Sequence, residues 1–160
     1  MKLHVGSLIL VLFFGLTTNA SIKPTMVEMQ QSQFKLCKSN SLKLSDPNSR
    51  DQARLNCITK EFPTRLGIES CVKEAKKFEY LLNEQSALRS CYYSKPQFAG
   101  MKNCLFIAKE LHSLGDRDDM RLECVSSIGL PRGRNSCLEV ANKFEQGQLK
   151  KKLITTCLEN

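Results

Sequence analysis

The chain has 160 residues, 24 Lys and Arg against 16 Asp and Glu (net charge +8), eight Cys and no Trp. That length allows one ordinary domain and argues against a multidomain enzyme. With 41% hydrophobic and 25% charged residues, the composition is globular rather than collagen-like or disordered.

Residues 1–20 read as a secretory signal peptide. Lys2 and His4 make a short positive start, Leu8–Leu16 is the apolar stretch, and Thr18-Asn19-Ala20 places small residues before a cleavage site at Ser21. An uncleaved membrane anchor is the alternative, but the stretch falls well short of the roughly 20 residues a span requires. Residues 21–32 (SIKPTMVEMQQS) are polar and lack the pattern that follows, so they read as a flexible N-terminal arm.

From there the cysteines set the frame. They stand at 37, 57, 71, 91, 104, 124, 137 and 157, separated by 20, 14, 20, 13, 20, 13 and 20 residues. Four Cys-x19-Cys units result, with a period of 33–34 residues, in a single repeat domain at 33–160. The units run over about 33–62, 67–95, 100–130 and 133–160. Four residues after each first Cys come Ser41, Ala75, Ala108 and Ala141; seven after it come Leu44, Phe78, Leu111 and Phe144. Gly67, Gly100 and Gly133 precede it by four in units two to four, and Pro63, Pro96 and Pro131 sit in the linkers.

Within a unit, Cys104, Ile107, Ala108 and Leu111 lie on one helical face, and Cys137, Val140, Ala141 and Phe144 repeat the pattern. Ser136 and Glu139 fit a capping box for the first helix of unit four. A polar break about ten residues on (Asn83-Glu84, Gly115-Asp116, Gln146-Gly147) precedes a second short helix ending at the closing Cys. No stretch alternates with period two. The predicted fold is all-α: four tandem αα-hairpins stacked as a short solenoid.

In an antiparallel hairpin the start of the first helix faces the end of the second. The expected staples are therefore Cys37–Cys57, Cys71–Cys91, Cys104–Cys124 and Cys137–Cys157. The rival linkage between units strands Cys37 and Cys157 at opposite ends. Persistent disulfides need an oxidising compartment, which agrees with the export signal.

The period and hairpin plan of residues 33–160 resemble helical-hairpin solenoids such as tetratricopeptide and Sel1-like repeats. The likeness lies in architecture, so no functional residue is carried over. It implies a binding or scaffolding role. Unit one, with Ser41 for Ala and no preceding Gly, reads as a polar cap.

Chemistry is sparse. His112, the one histidine of residues 21–160, sits beside Leu111 at the end of a predicted helix, without a nucleophile signature near it. Paired cysteines leave no thiolate, and the spacing suits neither zinc nor a redox CxxC motif. No cofactor or metal is expected. Asp116, Asp118, Asp119 and Glu123 could form a cation site or an acid–base pair. They equally suit a helix start neutralised by Arg117 and Arg121. The aromatic linker Tyr92–Phe98 is either a stacking platform or packing between units.

Because stacked repeats align their columns, Lys43, Lys76, Lys77, Lys109 and Lys143 are expected to form an exposed ridge, interrupted by Glu110, for an anionic partner. Lys150-Lys151-Lys152 would add to it. The reading is an exported, periplasmic or secreted, non-catalytic binding or scaffold protein, monomeric and without a transmembrane span once the signal is removed. Its expected partner is a protein, a peptide, or an anionic polysaccharide or lipid headgroup, not nucleic acid. The alternative is an exported enzyme inhibitor or self-protection factor.

Overall fold

The computed structural model describes residues 24–159; the expected signal peptide lies outside them. Eight α-helices and no strands occur among the described residues. They form four hairpins: α1 (Met26–Ser41) with α2 (Pro47–Asn56), α3 (Gly67–Ala75) with α4 (Leu81–Tyr93), α5 (Met101–Glu110) with α6 (Leu114–Ile128), and α7 (Arg134–Ala141) with α8 (Gly147–Glu159). A π-helical turn, Cys57–Glu61, prolongs α2. None of the described helices is long and apolar enough to cross a membrane.

Each hairpin carries its own disulfide: Cys37–Cys57, Cys71–Cys91, Cys104–Cys124 and Cys137–Cys157, with Cα atoms 5.5–5.8 Å apart. No cysteine is free among the described residues. Helices of eight to ten residues are marginal alone in water. Closing a 20-residue loop contributes roughly 3 kcal/mol in the chain-entropy account. Alanine or serine four residues after the first Cys is fully or nearly buried in every unit.

The loop glycines have a backbone reason. Gly67, Gly100 and Gly133 hold φ of 79°, 124° and 97°, a region L-residues rarely adopt, where the chain turns into α3, α5 and α7. Unit one has no such glycine and starts differently. Thr25 caps α1 through a reciprocal box with Glu28, and the helix begins at Met26. Residues 26–32 are thus helical rather than part of a flexible arm. They precede Phe34, which packs edge-on against Phe62 at 5.2 Å between ring centroids.

Three further expectations change. First helices end at Ser41, Ala75, Glu110 and Ala141, so the polar break begins four to seven residues earlier than read in units two to four, and Asn83-Glu84 and Gly115-Asp116 lie inside α4 and α6. Phe78, Leu111 and Phe144 then plug the core from the turns after these helices, while Leu44 is exposed. In unit four, Ser136 and Glu139 lie within α7, whose N-cap is Gly133 without a side-chain bond. The backbone enters that helix through the glycine, three residues before the serine could cap it.

The apolar core is divided. One cluster runs from Phe34 through units one to three as far as Cys124; a second, built on Val140, Phe144 and Leu153, belongs to unit four. Half-buried Met101 and Leu105 touch both. Val125 and Leu130 of unit three also pack against the second cluster.

Candidate functional site

Polar side chains define the junctions between units. At the first, the buried carboxylate of Asp51 accepts backbone N–H bonds from Glu79 (2.9 Å) and Tyr80 (3.0 Å), just before α4. Arg54 donates to the Lys77 carbonyl at 2.6 Å and stacks over Phe78, and Arg50 pairs with Glu79 at 2.9 Å. The third junction repeats this. Asp118, fully buried, accepts from the backbone N–H groups of Glu145 (3.0 Å) and Gln146 (2.7 Å), just before α8. Arg121 donates to it at 2.6 Å, and Arg117 grips Glu145 through two bonds. An Arg-Asp-x-x-Arg segment of one second helix thus caps the entry to the next. Sequence reasoning missed this clamp, although the motif stands in the same column of units one and three, with Glu at the matching turn of units two and four.

Burial raises the affinity of Asp118 for a proton. The Gln146 N–H, the Arg121 guanidinium and the Glu145 N–H together outweigh that, and its carboxyl titrates below the ordinary aspartate range. The other acidic residues of this region serve elsewhere. Asp116 caps α6 with Ser113 and takes Gln85 of unit two; Glu123 holds Arg89 and the Tyr93 hydroxyl. Asp119 is exposed. The four carboxylates do not converge, and no cluster of three or more His, Cys, Asp and Glu suited to a metal occurs among the described residues.

His112 lies beyond the end of α5, in the turn to α6, because that helix stops at Glu110. Its Nε2 lies 3.1 Å from Glu84 of unit two. Within the aromatic linker, Tyr92 and Phe98 are buried, and Tyr93 bonds Glu123 across the second junction. Burial first, and the glutamate second, push the Tyr93 phenol up to about 12. Packing between units describes this segment, not a free stacking platform. Buried Lys95 donates to the Thr59 carbonyl at 2.9 Å, and loss of solvent lowers its pKa.

The lysine ridge takes another form. Lys43, Lys76, Lys77 and Lys143 follow the ends of their first helices and occupy turns; only Lys109 lies within a helix. Lys76 pairs with Glu110 across the second junction, Lys77 with Glu74, and Lys143 with Glu139 at 3.5 Å; Lys43 bonds Asn40. Carboxylates therefore interleave most of the row. Lys150 donates to the Asn142 carbonyl, while Lys151 and Lys152 are exposed.

At the third junction the pattern breaks. Lys38–Glu74 and Lys76–Glu110 tie first helices together across junctions one and two. The columns that supply Lys76 and Glu110 supply Lys109 and Lys143 one junction later, so two cations take the place of an ion pair. Here α5 and α7 stand apart around a cleft of about 780 Å³. Leu105, Phe106, Met101 and Val140 form its apolar lining; Lys102, Lys109 and Lys143 stand on its rim. Arg121 and Glu145 close one end, already bonded to each other at 2.9 Å. Pro131, Ser136 and Glu139 line the remainder. The cleft joins two lysines of the expected ridge to an apolar surface that repeat alignment had not revealed.

Comparison of the chain with protein-family models, with curated proteins and with solved structures finds no match.

Proposed function

We propose that the chain is an exported, non-catalytic binding protein whose ligand lies in the cleft between α5 and α7. Four disulfides suit an oxidising compartment, and the basic, apolar N-terminal sequence suits export. The observation that carries the reading is a cleft of about 780 Å³ with an apolar floor and cations on its rim. That size falls within the range of small-molecule sites, which combine apolar linings with a few placed polar groups. A partner with an anionic head and an apolar body matches both parts.

Anilinonaphthalene sulfonate, an anionic aromatic dye that brightens in apolar surroundings, tests this. The expected result is saturable binding of one dye per folded protein, weakened several-fold in Lys109→Gln and Lys143→Gln, whose exposed side chains leave the fold unchanged. No saturable binding, or binding indifferent to both substitutions, removes the cleft as the site.

A further inference from the structure

Resting on that reading of the cleft, we infer that its ligand is a single-chain aliphatic carboxylate of medium length. The carboxylate sits between Lys109 and Lys143, and the chain runs along Leu105, Phe106 and Val140 toward Met101.

The head group follows from the comparison of junctions. Across junction two, the column pairs Lys76 with the carboxylate of Glu110. Across junction three, it offers two ammonium groups, and Lys109 has no carboxylate partner among the described residues. Lys143 keeps only an exposed pair with Glu139 of α7, at 3.5 Å. Arg121 is buried and already neutralised by Asp118 and Glu145 through its Nη1. A carboxylate arriving from solution occupies the place that Glu110 fills one junction earlier, and it relieves the repulsion between two cations.

The tail follows from the lining. Below the two lysines, α5 presents Phe106, Leu105 and Met101, and α7 presents Val140. The two acidic residues of the cleft are already held, Glu139 by Lys143 and Glu145 by Arg117 and Arg121. From Lys109 back to Met101 the helix spans eight residues, roughly 12 Å at about 1.5 Å of rise each. A staggered alkyl chain, with C–C bonds of about 1.5 Å, advances roughly 1.3 Å per bond, so about nine or ten carbons fill the strip. Met101 is the first residue of α5, so the helical strip ends there and further methylenes gain nothing.

Displacement of the bound dye by straight-chain carboxylates from hexanoate to tetradecanoate tests the assignment on the whole folded domain. Each methylene is expected to tighten binding by about fourfold until the chain reaches roughly ten carbons, where the series flattens. Decanol should bind about tenfold more weakly than decanoate, the low end for losing hydrogen bonds to a charged group. Lys109→Gln with Lys143→Gln should bring the two ligands to equal affinity. Displacement that ignores chain length, or decanol equal to decanoate on the native protein, overturns the inference. So does a dye displaced only by an acidic amphipathic peptide, and in these cases the cleft remains the site. A dye that never binds removes the earlier reading as well.

Discussion

Asp118 is the residue on which the third junction turns. Its two oxygens, fully buried, receive two backbone N–H groups and the buried Arg121 guanidinium. Replacing it with Asn keeps the shape but removes the charge that Arg121 neutralises, and it sets an amide N–H₂ against backbone donors. Removing one partner of a buried pair costs about 3 kcal/mol or more. Urea unfolding of Asp118→Asn at neutral pH should show a midpoint lowered accordingly. The acid response gives the sign. In the folded chain this carboxyl titrates below its ordinary value, so the unfolded chain takes up the proton first. Its contribution is complete above about pH 4, the ordinary aspartate value, and drains away as the pH falls through the lower folded value. The Asn variant should therefore lose less stability than the native chain between pH 5 and pH 2, roughly the window of such a shift. An equal acid loss in both proteins would mean that Asp118 is not held as described.

At the scale of elements, the glycines that open α5 and α8 make a controlled comparison. Gly100 sits at φ 124° with open space around the position of a Cβ, so Gly100→Ala meets no atom and costs only backbone conformation, about 1–3 kcal/mol. Gly147 also faces open space, but without a positive φ. Gly147→Ala should stabilise by about 0.5 kcal/mol through the unfolded chain. Thermal melts should move in opposite directions, and a matched loss would refute the conformational account. The glycine column was visible in the sequence because every copy of the turn has the same need. Staples were visible for a related reason: hairpin closure fixes which cysteines face each other, whatever the turn between them. Helix ends were not. Lys76, Lys77 and Asn142 read as good or tolerable helix residues, and what stops the helix is the burial of Phe78 and Phe144 from the turn, a tertiary effect. The Arg-Asp-x-x-Arg clamp was present as a column, but its meaning depends on backbone donors in the following unit. The cleft was least legible. Its lysines could be listed, yet the separation of α5 from α7 appears only when three dimensions are assembled.

Across the whole molecule, the divided core and the repeated clamp pull in different directions. Apolar packing joins units one, two and three in one cluster and gives unit four its own, against which Met101, Leu105, Val125 and Leu130 of unit three pack. Polar bonding does the reverse at that boundary, where Asp118, Arg121, Arg117 and Glu145 fasten the second-helix side. The third junction is thus closed by charge on one side and open as a cleft on the other. The Cys137–Cys157 bridge holds unit four together without tying it to its neighbour. Such a segment opens below the free energy of global unfolding. Amide hydrogen exchange should show α7 and α8 less protected than α3 to α6 under native conditions. Asp118→Asn should widen the gap by loosening the one strong attachment, while units one and two keep their protection. Saturating decanoate, bridging Lys109 of α5 and Lys143 after α7, should narrow it, since a ligand stabilises the state it binds by an amount set by its concentration relative to Kd. A single exchange free energy shared by all eight helices, unmoved by either change, would show the four hairpins opening as one body and leave the cleft without a hinge.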